Sequence, residues 1–496
     1  MWRHLGTPTS QIFVCNCAYF REKTGLTGAE VTEAARRESD GVARQQREKI
    51  KSAMSFIWAN YKKYAFGRDE LKPLSRIGQD NWSGLGVTLV DALDTLWLMG
   101  MKSEFNEARD WVASSLSFAS KGSVSVFETT IRELGGLLSA FDLSGERIFL
   151  EKAKDLGERL ARAFDTPSGI ACGQIGLSGG GCGGGTAVLS EMGTLQVEFR
   201  YLAHHTQQRQ LEQKAMRGLQ VLNKRTPSNG LYPIRVSTQD GSFSDGHITF
   251  GALGDSFYEY LLKTWVQGGR KETWLRQMYD RAMDGMIKNL LKASSPNSLA
   301  FVSDWNGRGN DLKMDHLVCF LPATLALGAV TDPNGADSPR ARRDMEVAKA
   351  LMYTCYQMYH RTISGLSPEY VNFNGGQDFS VPPGAKFYIL RPETAESLFY
   401  LHQFTGEPTY RDWAWEIFEA IERNCRTEIA YGSLRDVNSP QSGVDDRMES
   451  FFLAETLKYL YLIQDPEHQI DLQKYVFNTE AHPTKVLDDS HIPISA

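Results

Sequence analysis

One pattern occurs five times in this 496-residue chain. A carboxylate residue opens an apolar helical stretch, which runs into a short turn and a second helix. A repeated helical pair buries its apolar face on its neighbours, so equivalent positions come to lie at the same end of the assembly. We therefore expect the five acids to meet on one rim of a ring of helical pairs. They are Glu128, Glu191, Asp255, Glu393 and Glu449.

Helical periodicity dominates most of the chain. In the third stretch, Phe257, Leu261 and Trp265 follow the i, i+4, i+8 spacing of one helix face. Strand signals are few, and we expect only short hairpins between helical pairs, in segments 230–236 and 366–373. The length alone would suggest about three domains, but a single closed ring of helical pairs can contain a chain of this length. The sequence predicts an all-α fold.

Composition excludes several classes of function. A formal net charge of -6 gives no support for binding to nucleic acid or to an anionic membrane surface. No apolar run reaches the roughly 18 residues of a membrane helix, and the amino terminus lacks the order of a signal peptide. We therefore expect the chain as written to be soluble.

The seven cysteines do not by themselves fix a redox compartment. Cys172 and Cys182 lie in a glycine-rich segment, 169–186, which we expect to form a long, mobile loop outside the core. Whether these two cysteines pair is left open by the sequence. Cys319 and Cys355 fall in helical stretches.

Acidic residues on the expected rim are spaced so that they repel each other. Asp255 and Glu259 are four residues apart and Glu393 and Glu396 are three apart, so each pair shares a helix face. A single acid near a helix start can simply interact with the helix dipole, but five at matching repeat positions are hard to explain that way. A bound cation or a proton-transfer task would compensate their repulsion. The pattern therefore indicates carbohydrate cleavage or cation binding.

The segment Arg391-Pro392-Glu393 adds a specific role. Proline suits the first turn of a helix, which would place Glu393 on a rigid element at the mouth of the ring. A neighbouring Arg391 would favour the carboxylate form of Glu393, as a general base requires.

Other catalytic signatures do not fit. Segment 176–180 (GLSGG) matches the nucleophile-elbow pattern but lies in glycine-rich sequence rather than between a strand and a helix. No glycine run carries the Lys-Ser/Thr of a phosphate-binding loop. His204 and His205 are adjacent and cannot share a helix face as zinc-binding HExxH histidines do. Segment 240–245 lacks the spacing of a helix–loop–helix calcium site, so any calcium would be held by groups from distant parts of the chain.

Six motifs occur in an order that matches a known family. They are DALDTLW (91–97), FETTIR (127–132), GDSFYEY (254–260), MDHL (314–317), RPET (391–394) and FNTEAHP (477–483). Together they resemble the class I α-1,2-mannosidases, glycoside hydrolase family 47, over about residues 46–485. The resemblance implies an (α/α)7 barrel of helical hairpins, with short β-hairpins at one end and a C-terminal plug. Residues 1–45 would form a stem or disordered lead-in, and 486–496 a tail.

The family resemblance also implies an activity. We expect a calcium-dependent, inverting exo-α-1,2-mannosidase that trims terminal mannose from high-mannose N-glycans. Inversion needs two carboxyl groups roughly 6.5–9.5 Å apart with a water between them. By motif, Glu128 is the expected general acid, Glu393 the base and Asp255 a second acid. The main alternative is a glycan-binding quality-control lectin on the same barrel, with little hydrolysis.

The resemblance assigns further residues to the site. Thr479 would hold the calcium through its hydroxyl and carbonyl oxygens. Leu253 stands where the endoplasmic-reticulum enzymes have arginine, and so resembles the Golgi type. The residues expected to line the pocket are Arg132, Glu191, Leu253, Glu259, His316, Arg391, Glu396, Glu449 and Glu480.

A disulfide between Cys319 and Cys355 is a further feature that the family implies. It would place the protein in the secretory lumen, in the Golgi first and the endoplasmic reticulum second. The expected partners are high-mannose N-glycans on glycoproteins, without nucleic acid, and with membrane contact only through an anchor that this sequence does not contain. We expect a monomer.

Overall fold

The structure is a computed structural model that describes residues 31–119, 121–373 and 375–487. Residues 1–30 of the predicted lead-in and 488–496 of the predicted tail lie outside the described residues. Within the described ranges no helix is both long and apolar enough to span a membrane. Helices of an outer ring alternate along the chain with helical segments of an inner ring.

The outer helices are amphipathic. In Arg209–Lys224, for example, Leu211, Ala215, Leu219 and Leu222 are buried at the three-to-four-residue spacing of one face, and the other face is polar. The outer helices are Glu33–Ala65, Lys102–Ser114, Arg147–Leu160, Arg209–Lys224, Thr273–Asn289, Pro339–His360 and Thr409–Asn424.

The inner segments are buried on nearly all sides, as expected for a ring enclosed by another ring. They are Val87–Asp91 with Leu93–Leu98; Val126–Thr129, Thr130–Leu134 and Gly135–Ser144; Leu189–Gly193 with Gln196–Thr206; Asp255–Gln267; His316–Phe320 with Leu321–Val330; Glu393–Thr405; and Phe452–Thr456 with Leu457–Ile463. Thr130–Leu134 and Phe452–Thr456 are single turns of π-helix, and His316–Phe320 is a 3₁₀ segment. Shorter 3₁₀ turns occur at Ala161–Phe164, Pro383–Ala385 and Pro440–Ser442.

Ring closure brings the first and last helices of the described residues together. The last inner helix, Leu457–Ile463, packs against the first outer helix, Glu33–Ala65. The predicted (α/α)7 barrel is therefore confirmed.

Apart from the C-terminal hairpin, the short antiparallel strands gather at one end of the barrel. Up to residue 373 they lie in the connections that lead from an outer helix to the next inner helix, whereas the inner-to-outer turns are short and include left-handed Gly145 and Gly406. The pairs are Glu70–Lys72 with Ile77–Gln79, Ser123–Ser125 with Gln174–Gly176, Thr186–Val188 with Arg235–Ser237, His247–Ile248 with Asp304–Asn306 and Asn310–Asp311, Leu291–Ala293 with Ala300–Val302, Lys313–Asp315 with Tyr370–Asn372, and Tyr475–Phe477 with Pro483–Lys485.

The C-terminal hairpin plugs the barrel from the opposite end. Its buried tip reaches the first inner segment, where His482 lies between two buried aspartates. Nε2 of His482 is 3.0 Å from Oδ1 of Asp91, and Nδ1 is 2.8 Å from Oδ2 of Asp94. Lys458 Nζ lies 2.8 Å from the other oxygen of Asp94. These charges fix the plug.

Three details differ from the sequence-based expectations. The first helix begins at Glu33, so residues 33–45 are helical rather than a lead-in, and Ala43 is buried. Segments 230–236 and 366–373 do contribute to short strands, but these strands pair with distant ones rather than forming local hairpins. Pairing across many residues depends on tertiary packing, which local turn signals do not report.

The glycine-rich segment is the third difference. It does not lie wholly outside the core, because Ile170, Ile175 and Leu177 are buried and Cys172 pairs with Cys182. The strand Gln174–Gly176 within it pairs with Ser123–Ser125, directly before the helix of Glu128. The apolar residues among the glycines pack inward.

Candidate active site

A cavity of about 290 Å³ opens at the end of the barrel where the inner helices begin. Its walls come from inner segments and its floor includes the tip of the plug. The lining residues are Phe127, Glu128, Ile131, Arg132, Ser190, Glu191, Ala252, Leu253, Asp255, Ser256, Glu259, Leu317, Phe320, Arg391, Pro392, Glu393, Glu396, Phe451, Glu455, Thr479 and Glu480. The sequence predicted that all five repeated acids would meet, and four of them, Glu128, Glu191, Asp255 and Glu393, share this cavity.

Glu393 is held as a carboxylate. Nδ1 of His316 lies 2.7 Å from Oε2 of Glu393, and Nη1 of Arg391 lies 3.7 Å from Oε1. Burial alone would raise the pKa of Glu393, but the contact with His316 and the charge of Arg391 outweigh burial and lower the pKa. Arg391 is itself fixed, because its Nε donates to Glu369 at 2.7 Å.

Asp255 has the opposite environment. It is the first residue of an inner helix, and its Oδ1 accepts a hydrogen bond from the amide of Ser256 at 2.9 Å. Burial raises the pKa of Asp255 to about 7, the charges of Glu259 and Glu393 act in the same direction, and the Ser256 amide opposes them. Below about pH 7 the cavity therefore contains both a carboxylate, Glu393, and a carboxylic acid, Asp255.

Arg132 links Glu128 to the plug. Its Nε donates to Oε2 of Glu128 at 2.9 Å, and its Nη1 donates to Oε1 of Glu480 at 2.6 Å and to Oγ of Ser450 at 3.0 Å. The amide of Glu128 is capped by Ser125 Oγ at 3.3 Å, which fixes the start of this helix.

Thr479 at the tip of the plug is surrounded by carboxylates. Its Oγ1 donates to Oε2 of Glu259 at 2.8 Å. Burial raises the pKa of Glu396 to about 8, with Lys263 opposing and Glu259 reinforcing the rise. Burial likewise raises the pKa of Glu480 well above its usual value, and Arg132 offsets only part of this rise. The floor of the cavity thus has more acidic groups than cations to balance them.

These oxygen-rich surroundings fit a hard divalent cation. Carboxylate, hydroxyl and carbonyl oxygens are the ligands that calcium prefers. Residues 31–119, 121–373 and 375–487 contain no group of three His, Cys, Asp or Glu side chains arranged as metal ligands. A calcium ion here would depend on the Thr479 oxygens and on waters held by the acids.

Two predicted lining residues do not line the cavity. His316 is buried behind Glu393, where Tyr359 OH lies 2.8 Å from its Nε2. Glu449 is buried against Arg447, and burial, followed by the charge of Glu70, raises its pKa. Glu449 lies before the inner segment Phe452–Thr456, whereas Asp255 and Glu393 are the first residues of theirs.

Sequence reasoning also missed residues that do line the cavity. Glu455 is buried inside the last inner segment, and burial followed by the charges of Glu393 and Glu396 raises its pKa well above the usual range. An acid within the apolar run FFLAET was the available signal. Phe127, Leu317, Phe320 and Phe451 supply apolar wall. Phe127 and Leu317 lie within the motifs FETTIR and MDHL, Phe320 lies three residues after the second, and Phe451 lies two residues after Glu449.

The structure contains both the disulfide that was expected and the one that the sequence left open. Cys319 pairs with Cys355 as expected, and Cys172 pairs with Cys182. Cys425 is buried and free. Two disulfides are typical of proteins that fold in an oxidising compartment.

Comparisons with known proteins agree with this architecture. The family model described as Glycosyl hydrolase family 47 matches residues 53–486. Mannosyl-oligosaccharide 1,2-alpha-mannosidase MNS1 from Arabidopsis thaliana is 46% identical over 456 residues, which are 90% of this chain and 80% of that protein. The endoplasmic reticulum mannosyl-oligosaccharide 1,2-alpha-mannosidase of Homo sapiens is 44% identical, covering 86% of this chain and 62% of its own length.

Solved structures give the same result. The alpha-1,2-mannosidase from Trichoderma reesei superposes with a TM-score of 0.83 at 31% identity, covering 90% of this chain and 99% of that one. A D-mannose isomerase, at 14% identity and a TM-score of 0.51, shares the fold alone. From the family match, the sequence identities and the shared barrel, we conclude that this chain belongs to glycosyl hydrolase family 47.

Proposed function

We propose that this protein is a calcium-dependent, inverting exo-α-1,2-mannosidase that trims terminal mannose from high-mannose N-glycans. The observation that carries the proposal is the pairing, in one cavity, of Glu393 with a lowered pKa and Asp255 with a pKa of about 7. The names of the curated relatives and of the Trichoderma reesei structure supply the substrate class.

The proposed mechanism assigns a role to each acid. Glu393, as a carboxylate, removes a proton from the water that attacks the anomeric carbon. Glu128 protonates the leaving oxygen through a water, and Asp255 is the second acid, with a proton to donate near neutral pH. Inversion follows because water attacks the face opposite to the departing sugar.

Calcium is the proposed cofactor, held by the hydroxyl and carbonyl oxygens of Thr479. When bound, it would supply a site for the hydroxyl oxygens of the terminal mannose and would balance the charge of the surrounding acids. The acid-rich floor around Thr479, including Glu396 and Glu480 with raised pKa values, supports this assignment.

Leu253 supports a Golgi-type specificity. It lines the cavity and is 40% exposed, in a left-handed backbone conformation with φ of 78°. A leucine leaves room where an arginine would bind and discriminate among glycan branches. We therefore propose removal of several α-1,2-mannoses in the secretory lumen, within the Golgi.

The direct test is digestion of a nine-mannose glycan, with products resolved over time and the anomer of released mannose followed by NMR. We expect progress to five mannoses and initial release of β-mannose. Release of α-mannose would contradict inversion, and a stop at eight mannoses would contradict the Leu253 argument. Tight binding without any hydrolysis would favour the lectin alternative.

Calcium dependence can be tested separately, by chelation and by substitution of Thr479 in the C-terminal plug. We expect calcium to restore the activity of chelated enzyme and to raise its melting temperature, with a stabilisation of about 2.7 kcal/mol at a hundredfold excess over Kd. Thr479→Val should abolish the calcium-dependent shift. Thr484→Val, in the same hairpin and also buried, is the matched control and should retain it. An unchanged shift in Thr479→Val would reject the site.

A further inference from the structure

Trp82 lies beside Arg132 at the edge of the cavity, in the connection before the first inner segment. The centroid of its ring is 5.3 Å from the guanidinium carbon of Arg132, and the ring of Phe451 is 5.6 Å from the same atom. A guanidinium held near aromatic faces gains cation–π attraction and loses rotational freedom. Trp82 therefore restrains the cation that contacts both Glu128 and Glu480.

Trp82 is itself anchored independently of Arg132. Its amide donates to Oδ2 of Asp69 at 2.7 Å, and its indole Nε1 donates to Oε1 of Glu70 at 3.0 Å. Asp69 is fully buried and also accepts the amides of Gly84 and Gly86, at 2.8 and 2.7 Å. The ring is thus presented by a fixed loop.

The orientation of Arg132 decides which acid it contacts. Its Nε donates a hydrogen bond to Glu128, while its Nη1 donates to Glu480 and lies 3.7 Å from Oδ2 of Asp91. A guanidinium surrounded by several carboxylates can exchange partners by rotating in its plane or tilting out of it. Neighbouring aromatic rings oppose the tilt, and so keep Nε directed at Glu128.

We propose that Trp82 is a positioning residue for hydrolysis, acting through Arg132 on Glu128. Trp82 is not among the residues that line the cavity, and the proposed role is exercised through Arg132 rather than by contact with the sugar. The inference rests on the function proposed for this cavity, in which Glu128 transfers a proton.

Three substitutions separate the effect of the Trp82 ring from the effect of its indole hydrogen bond. Trp82→Phe keeps an aromatic face and loses the indole donor, and we expect it to retain most of the kcat. Trp82→Leu should lower kcat about tenfold and leave KM within about threefold, the size expected for one lost cation–π contact in a transition-state-specific interaction. Trp82→Gln, which keeps a donor for Glu70 but has no ring, should be as impaired as Trp82→Leu.

The matched control is Trp415 on an outer helix. It is partly buried, with the Lys49 ammonium 5.2 Å from its ring, and lies outside the cavity. Trp415→Leu removes a comparable contact, and we expect it to leave kcat unchanged. Melting temperatures of all variants show whether each is folded.

A double-substitution cycle tests the route through Glu128. If Trp82 acts on Glu128, adding Trp82→Leu to Glu128→Gln should cause no further loss of kcat. An equal loss in both backgrounds would overturn the inference, as would a Trp82→Phe enzyme as impaired as Trp82→Leu, or a Trp82→Gln enzyme with full activity. A wild-type enzyme that does not cleave α-1,2-mannose would instead refute the proposed function, which separates the two failures.

Discussion

At the scale of single residues, neighbouring side chains shift the pKa values of two carboxyl groups in the cavity in opposite directions. Glu393 lies beside His316 and Arg391, and the contact with His316 and the positive charge of Arg391 favour its ionised form. Asp255 lies near Glu259 and Glu393, whose negative charges favour its protonated form. Environments that separate pKa values in this way are how glycosidases assign an acid and a base to the same kind of side chain.

Glu393→Gln tests the base. The amide is nearly isosteric but cannot accept a proton, so we expect kcat to fall by about 10²–10⁴-fold, while glycan binding measured by calorimetry persists. Glu369→Gln, which changes only the partner of Arg391, should cost much less. Wild-type turnover in Glu393→Gln would show that another group is the base.

The pH dependence of kcat/KM tests Asp255. Activity should fall as pH drops through the lowered pKa of Glu393, because the base becomes protonated. It should also fall as pH rises through about 7, because Asp255 then loses its proton. Asp255→Asn should remove the alkaline limb while lowering the maximum. If the alkaline limb remains in Asp255→Asn and disappears in Glu128→Gln, then Glu128 is the group that titrates there.

At the scale of elements, the sequence predicts well where an inner helix begins and poorly how its first turn is wound. Glu393 follows a proline and Asp255 follows a glycine, and both are the first residues of their helices. The last inner segment instead opens with a π-helical turn, Phe452–Thr456. Glu449 precedes this turn and Glu455 lies within it, and it is Glu455 that lines the cavity. No composition rule reveals such a turn.

The plug is the element whose fixation can be tested by pH. Burial alone would lower the pKa of His482, but Asp94 and Asp91 raise it overall, and the pKa of Asp94 is lowered to about 2. The stability due to His482 is therefore complete below its unfolded pKa of about 6.5 and is lost as pH rises through its raised pKa. The stability due to Asp94 is complete above about 3.9 and is lost as pH falls toward 2.

We therefore expect His482→Gln to lower the free energy of unfolding by about 3–5 kcal/mol near pH 5.5, because two buried aspartates lose their shared cation. The difference from wild type should be smaller at a more alkaline pH, because His482 loses its proton as pH rises through its raised pKa. Urea unfolding at the two values measures it. His360→Gln, at an exposed site, is the control. A deficit independent of pH would mean that His482 contributes packing and not charge.

At the scale of the whole molecule, the sequence could predict the ring of helical pairs but not the seam that closes it, which is the contact between helices Leu457–Ile463 and Glu33–Ala65. Periodicity and the ordered motifs indicate helical pairs around a rim, because both are local signals. The exposed face of the first helix is so charged, as in ARRESDGVARQQREK, that the helix resembles a polar lead-in. Its inner face becomes apparent only when the last inner helix packs on it, a contact between helices far apart in the sequence.

Asp40 belongs to the segment that the sequence assigned to the lead-in. Substituting it tests how much the first helix contributes to closing the ring. It pairs at 2.7 Å with Arg411, a guanidinium only 4% exposed that also donates to the carbonyl of Ile463. We expect Asp40→Ala to lower the free energy of unfolding by about 1–3 kcal/mol, because a buried guanidinium loses its carboxylate partner and keeps only the Ser39 hydroxyl at the same nitrogen. Arg44 lies on the same helix as Asp40, and Arg44→Ala breaks an exposed ion pair with Glu467. This substitution should lower the free energy of unfolding by less than about 1 kcal/mol. Equal effects in urea unfolding would mean that the first helix only covers the barrel, whereas the expected difference would show that residues before 46 help to close the ring on which the cavity depends.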